Sequence, residues 1–110
     1  MSEASILADI RLALGRTPDC LRLWRNNSGA ALDPTGRLVR YGVGIGGSDL
    51  LGWRSVNGVA VFCAVEVKDA RGRVTPDQQR FIDAVTAAGG YAGVARSVDD
   101  ARAILRMGAD

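Results

Sequence analysis

The sequence predicts an α/β domain built on a mixed β-sheet, and three observations support that class. Apolar residues recur at helical spacing near both ends of the chain, and strand-like runs fill its middle. An Asn-Gly pair at positions 57 and 58 joins the two best strands, as expected for a tight hairpin. The predicted order is α-β-β-β-α-β-α, with a central mixed sheet flanked by helices; a short strand expected over 38–41 is additional to this order.

The first part of the chain begins with a helix and ends in this hairpin. Over residues 4–14, Ile6, Ile10 and Ala13/Leu14 recur at helical spacing, Ser2 can cap the helix, and Gly15 ends it. The elements expected next are a turn over 17–19, a weakly alternating strand over 21–25, a loop over 26–36, a short strand over 38–41, and strands over 49–56 and 59–68.

A helix with a clear start signal follows the hairpin. Thr75 is a good N-cap, Pro76 suits the first helical position, and Gln78 can complete a capping box. Gly89-Gly90 ends this helix, residues 91–95 read as a strand, and Ser97 begins the last helix.

The composition limits the chemistry that the chain can perform. It has no histidine and two distant cysteines, Cys20 and Cys63, which excludes a zinc site and His-dependent triads. We expect Cys63 to be a small buried apolar residue. Catalysis would depend on carboxylates, hydroxyls, a hard cation and the single lysine, Lys68.

The hairpin register brings two acidic residues together. If the turn is centred on Asn57-Gly58, paired residue numbers sum to 115, which places Asp49 opposite Glu66. Two carboxylates about 5 Å apart repel by ~3 kcal/mol at an effective dielectric near 20. Either Lys68, on the same strand face as Glu66, or a divalent cation would offset this repulsion. The first alternative is a structural salt bridge and the second is a metal site.

Three motifs in order carry a resemblance to a known family. They are Gly47-Ser48-Asp49-Leu50-Leu51-Gly52, then Glu66-Val67-Lys68, then Gln78 three residues before Phe81. The set resembles the VRR-NUC family, the virus-type replication-repair nuclease branch of the PD-(D/E)xK nuclease superfamily. Ser48 stands where the superfamily has proline. Weaker similarities extend over nearly the whole chain, at Trp24-Arg25-Asn26-Asn27, Gly36-Arg37, Gly72-Arg73, Thr75-Pro76 and Gly89-Gly90.

The resemblance implies a restriction-endonuclease-like fold, with residues 1–110 as a single VRR-NUC-like domain that cleaves DNA. Asp49 and Glu66 would hold Mg²⁺ or Mn²⁺, helped by the Val67 carbonyl. Lys68 would orient or activate the attacking water, acting either as a base or as an electrostatic stabiliser.

Two further residues match family positions, and each has a structural alternative. Gln78 matches the glutamine beside the family's site, but it can also be the capping partner of Thr75. Glu3 matches the glutamate that completes the family's acidic set, but it can also simply favour the helix dipole.

Several side chains are expected to contact DNA. The residues expected at phosphates or sugars are Arg25, Asn26 and Asn27, whose alternative is a loop turn, and Arg71 and Arg73, which flank a glycine. Trp24 and Trp53 are expected to pack in the core, with stacking on bases as the alternative.

The predicted function is a Mg²⁺- or Mn²⁺-dependent DNA endonuclease. Small stand-alone relatives imply a homodimer acting on branched or junction DNA in the cytoplasm of a bacterium or a phage-infected cell. No apolar run reaches about eighteen residues, so neither a membrane span nor export is expected. The alternatives are a non-cleaving nucleic-acid-binding module and a structural or regulatory domain.

Overall fold

The described part of the chain, residues 1–18 and 20–107 of this computed structural model, contains three helices and seven strands. In order they are α1 (Glu3–Leu14), β1 (Arg16–Thr17), β2 (Leu21–Arg25), β3 (Gly29–Leu32), β4 (Leu38–Tyr41), β5 (Leu50–Val56), β6 (Val59–Val67), α2 (Pro76–Ala87), β7 (Tyr91–Ala95) and α3 (Val98–Ile104). The main sheet has the order β1-β2-β5-β6-β7, and β3 pairs with β4 alone. Only β6 and β7 pair in parallel within these described strands, so the sheet is mixed, as predicted.

The β5–β6 hairpin has the predicted register. Val56 pairs with Val59 and Leu50 pairs with Val65, so every pair sums to 115. Asn57 and Gly58 both have positive φ, 52° and 79°, which is what a two-residue type I′ turn requires. The last pair of this ladder, Leu50 with Val65, is adjacent to positions 49 and 66. The observed register therefore places these two positions opposite each other, as predicted.

The two faces of the main sheet are covered unequally. On one face, α1 and α3 bury a continuous apolar core whose members include Ile6, Ile10, Leu14, Leu21, Leu50, Val65, Val67 and Leu105. On the opposite face, α2 packs mainly against β6 and β7. We call this second side the α2 face. Its β2 and β5 portion has no helix above it, which leaves large apolar side chains exposed there.

The capping signals of the helices are confirmed. Thr75 Oγ1 accepts from Gln78 N at 3.1 Å, and Gln78 Oε1 accepts from Thr75 N at 3.0 Å, which closes the capping box of α2. Ser2 caps α1 by accepting from Ser5 N, and Ser97 caps α3 by accepting from Asp100 N. Cys63 is fully buried in the core, as expected.

Three local expectations were wrong. Residues 29–32, predicted within a loop, form β3, because Gly29-Ala30-Ala31-Leu32 finds a partner in β4. Thr17, expected in a turn over 17–19, instead pairs with β2 as part of β1; Pro18 lies in a turn as expected, and Asp19 lies outside the described residues. Trp24 and Trp53 are not in the core. Their exposed fractions are 52% and 43%, because α2 packs mainly over β6 and β7 and leaves these side chains of β2 and β5 largely uncovered.

Candidate active site

Asp49 is held at the entrance to β5 by backbone hydrogen bonds on both sides. Its carbonyl oxygen accepts from Asn26 N at 2.7 Å, which extends the β2–β5 ladder by one residue. Its carboxylate Oδ2 accepts from Val67 N at 2.8 Å, across the open end of the β5–β6 hairpin. The side chain is therefore fixed against the end of β6, where Glu66 and Val67 lie.

Glu66 is a buried carboxylate with an unsatisfied oxygen. Its side chain is only 3% exposed, and Oε2 has no hydrogen-bond partner among the described residues. Burial, and next the charge of Asp49, raise the pKa of Glu66 to about 7, against an opposing effect of Lys68. The Asp49 carboxylate thus lies close enough to disfavour the charged form of Glu66, in line with the register.

Lys68 completes this group on the α2 face. Its Nζ lies 3.7 Å from Glu66 Oε1, and the residue is 12% exposed. Its backbone N donates to Ala95 O at 3.0 Å, which continues the pairing of β6 with β7. The aliphatic part of Lys68 lies against Gly72, where an added Cβ would approach Lys68 Cδ to 3.1 Å. The ammonium is thus directed at Glu66 by packing as well as by charge.

The loop after β6 is tied down beside Lys68. Asp69 Oδ1 accepts from Arg71 N at 2.9 Å and from Gly72 N at 2.6 Å. The Arg96 guanidinium donates to the carbonyl oxygens of Asp69 and Gly72. Sequence reasoning did not identify Arg96 as a supporting residue, because it follows β7 and no spacing in the chain relates it to position 72.

A cleft of about 370 Å³ opens beside Asp49. Its lining combines predicted site residues from four separate segments, namely Glu3, Arg25, Asn26, Asn27, Asp49 and Val67, together with Ala4, Leu7 and Ser28. The fold thus brings the predicted DNA-contacting loop after β2 next to the predicted metal ligands.

Asn26 has a structural role that the sequence did not reveal. Its Nδ2 donates to Ser48 O at 3.1 Å, and its Oδ1 accepts from Val43 N at 3.3 Å. The side chain therefore supports the glycine-rich segment 42–47, which approaches α2 at Gly46; a Cβ there would lie 2.3 Å from Asp77 O. Asn26 positions Asp49, while its predicted contact with DNA stays a prediction.

The remaining predicted residues lie around this group. Gln78 has its Oε1 engaged in the α2 cap, which matches the structural alternative for this residue. Glu3 is exposed at the start of α1, and the described residues hold no cluster of three or more His, Cys, Asp or Glu side chains able to bind a metal. Arg71 and Arg73 are exposed beside Lys68. In this described part, neither guanidinium takes part in an ion pair.

Comparison with known proteins gives a family match. The model of the VRR-NUC domain matches residues 33–99, more than half of the chain, and this span includes Asp49, Glu66, Lys68 and Gln78. No curated protein and no solved structure gives a significant match. The mixed sheet with flanking helices is consistent with a restriction-endonuclease-like fold. The chain therefore belongs to the VRR-NUC family of nucleases.

Proposed function

We propose that this chain is a metal-dependent endonuclease that hydrolyses DNA phosphodiester bonds, with residues 1–110 forming one VRR-NUC-like nuclease domain. Membership of the family supports a nuclease acting on DNA. The observation that carries the metal-dependent activity is the buried Oε2 of Glu66, which has no hydrogen-bond partner among the described residues. Glu66 lies close to Asp49, and its other oxygen, Oε1, lies 3.7 Å from Lys68 Nζ.

The residues fit a hard divalent cation. A buried carboxylate oxygen without a donor is costly unless something positive satisfies it, and Lys68 reaches only the other oxygen, Oε1. Mg²⁺ takes oxygen ligands and typically uses one or two carboxylates plus water and phosphate oxygens. Asp49 and Glu66, with the Val67 carbonyl, would therefore hold Mg²⁺ or Mn²⁺. When bound, the cation would acidify a water molecule and polarise the phosphate.

The protein's own groups would position the reaction. Lys68 would orient the attacking water and stabilise the charge that develops on the phosphate oxygens. Hydrolysis adds the water oxygen to phosphorus and breaks one P–O ester bond, with a proton passing to the leaving oxygen. Asp49 is held by Val67 N and Glu66 by its burial, so both carboxylates are fixed before DNA binds.

DNA would approach along the cleft. Arg25 and Asn27 line it, and Arg71 and Arg73 extend the basic surface on the Lys68 side. Arginine suits phosphate because its planar fork can donate two parallel hydrogen bonds. Asn26 would contribute through the backbone of its loop, since its side chain supports residues 43 and 48. We place Glu3 at the rim and Gln78 beside the site on the family resemblance.

We further propose that the substrate is branched or junction DNA and that the chain acts as a homodimer. What supports a second copy is the β3–β4 hairpin, in which all eight strand residues are exposed. A two-stranded hairpin is marginally stable alone. Leu32, Leu38 and Val39, exposed by 71%, 59% and 47%, offer an apolar surface that a second copy would cover. No described helix is long and apolar enough to cross a membrane.

The test is a nicking assay with a Lys68 variant. Supercoiled plasmid and a four-way junction are incubated with protein and Mn²⁺, with and without EDTA. We expect EDTA-sensitive nicking that falls at least about 100-fold in Lys68→Met, the scale of losing one transition-state charge stabiliser. Arg102→Met is the matched control, because Arg102 lies on α3 and pairs with Asp99.

Two other outcomes would replace the proposal. Salt-sensitive retention of DNA without nicking would indicate a non-cleaving binding module. Absence of both retention and nicking would favour a structural domain in which Glu66 and Lys68 form only an ion pair, the contact that the structure contains at 3.7 Å.

A further inference from the structure

Both tryptophans of the chain lie exposed on the α2 face, and their rings contact each other. The centroids of Trp24 and Trp53 are 4.9 Å apart with planes tilted by 57°. They project from neighbouring strands, with Trp24 opposite Leu51 and Trp53 opposite Phe62. Phe62 is 46% exposed in the same patch. Tryptophans are usually well buried in a domain of this size, so this exposure needs a physical reason.

The patch continues directly into the candidate active site. A shallow groove of about 570 Å³ is lined by Trp24, Trp53, Phe62, Leu51, Arg25 and Asn26, among others. Arg25 and Asn26 also line the cleft beside Asp49. Along β5, positions 49, 51 and 53 point to one face, so the acid and the indole are separated by a single residue on that face, Leu51. A chain leaving the cleft past Arg25 would meet the tryptophans next.

The charge of the groove favours a polyanion over an apolar protein segment. In the described lining, Arg25 is the one charged residue and no acidic side chain is present. Aromatic rings beside an arginine are the arrangement that binds single-stranded nucleic acid, because bases stack on the rings while the guanidinium contacts phosphate. Paired bases in a duplex keep their faces stacked on each other and cannot use such a surface.

We propose that Trp24 and Trp53 form a stacking platform for unpaired DNA bases next to the scissile phosphate. The inference rests on the proposed function in taking DNA as the ligand, and it deepens that function by assigning the unpaired strand of a branched substrate to a defined surface. Phe62 extends the platform towards β6, and Arg25 links it to the cleft.

Intrinsic fluorescence tests the platform directly, because Trp24 and Trp53 are the only tryptophans of the chain. The wild-type protein is titrated in EDTA, where no cutting occurs, with an oligothymidylate of about 12 nucleotides. The matched probe is an abasic oligomer of the same length, which has the phosphates but no bases. We expect saturable quenching with the oligothymidylate and none with the abasic oligomer.

Variants add an affinity measurement. Trp24→Ala should weaken oligothymidylate binding about 5- to 150-fold, the effect of losing one stacked base. It should change abasic-oligomer binding less than about twofold. Leu12→Ala is the matched control, since Leu12 is a 90% exposed apolar residue on α1, and it should change neither affinity. Circular dichroism verifies that each variant is folded, and the wild-type titration stands without any variant.

Two results would overturn the platform. One is equal quenching, or none, with both oligomers. The other is dispersal of a wild-type dimer into monomers by Trp24→Ala in sedimentation velocity, which would assign the patch to a second copy of the chain. The nicking assay fails independently: base-dependent quenching without Mn²⁺-dependent nicking keeps the platform and rejects the nuclease. Conversely, nicking that is lost in Lys68→Met, together with no base-dependent quenching of the wild-type protein, keeps the nuclease and rejects the platform.

Discussion

At the scale of single residues, the site depends on one carboxyl group in an unfavourable setting. Glu66 is buried beside Asp49, and its Oε2 has no partner in the described structure. Burying an ionised carboxylate without a partner is unfavourable, because the low dielectric around it does not stabilise its charge. A bound cation would stabilise that charge. A site of this kind is expected to weaken the metal-free protein.

The stability of the metal-free protein should therefore depend on pH through Glu66. Its folded pKa of about 7 lies above the ordinary 4.5, so the protonated form favours folding. As pH rises from about 4.5 to about 7, the free energy of unfolding should fall by up to ~3 kcal/mol from this group. In EDTA, urea melts across a pH series should show that Glu66→Gln removes this pH dependence of the free energy of unfolding. Asp83→Asn, on the exposed side of α2, should retain it.

Asp49→Asn should raise the melting temperature in EDTA. The amide keeps an oxygen that can accept from Val67 N, and it removes the charge that disfavours ionised Glu66. A gain of about 1 kcal/mol corresponds to roughly 4–8 °C in a domain of this size. Thermal melts followed by circular dichroism measure it. A lower melting temperature for Asp49→Asn would contradict the repulsion between the two acids.

At the scale of elements, the sequence predicted what local chemistry determines and missed what distant contacts determine. The Asn57-Gly58 turn fixed the β5–β6 register, and with it the meeting of Asp49 and Glu66. The caps of α1, α2 and α3 could also be predicted, because each joins two residues only three positions apart in the sequence. Strand β3 was missed because its alanines and glycine have weak strand preference and pair only through the fold.

The exposure of Trp24 and the support from Arg96 were missed for a related reason. Apolar neighbours in the sequence suggest a buried tryptophan, but burial depends on whether a helix covers that strand. Here α2 is positioned over β6 and β7 and leaves β2 bare. Arg96 acts on residues 69 and 72 across the sheet end, a contact over more than twenty positions.

The capping box of α2 allows the two roles of Gln78 to be separated. Gln78→Ala removes the bond to Thr75 N and should lower stability by about 1 kcal/mol. Gln78→Glu keeps the capping box, since glutamate is equally suited to that position, and should keep most of the stability. Urea melts and nicking rates are compared for the pair. A stable but inactive Gln78→Glu would support a role at the site, and a stable, active one would confine Gln78 to the cap.

At the scale of the whole molecule, the core on the α1 and α3 face of the sheet is shared between segments far apart in the chain. The family match covers residues 33–99, whereas the core also needs Ile6, Ile10 and Leu14 from α1 and Leu21 from β2. These residues pack against Val65 and Val67, the immediate neighbours of Glu66. The first helix is thus part of what holds the site.

A single cooperative unfolding transition is expected for residues 1–110. Helical circular dichroism reports mainly on the three helices, while tryptophan fluorescence reports on Trp24 and Trp53 at the bare part of the α2 face. The two urea transitions should coincide within error. Transitions with clearly different midpoints would show that the chain contains two independently folding units.

Salt dependence should test the proposed contacts of Arg71 and Arg73 with DNA. If Arg71 and Arg73 each neutralise one phosphate, the double alanine variant should reduce the slope of log affinity against log salt by about 2. Arg102→Ala, on α3, should leave the slope unchanged. Duplex binding is measured by fluorescence anisotropy in EDTA across a salt series. An unchanged slope in the double variant would place the DNA elsewhere.

Because side chains alternate along β6, the strand register that buries the core also positions Glu66 and Lys68 at the candidate active site. Val65 and Val67 face the core while Glu66 and Lys68 face the opposite side, so a shift of one residue in strand pairing would exchange them. A slipped chain would have to bury two charged groups beneath α1 and α3 and would not remain folded. Any preparation that passes as folded should therefore contain correctly assembled sites, with Glu66 and Lys68 on the α2 face.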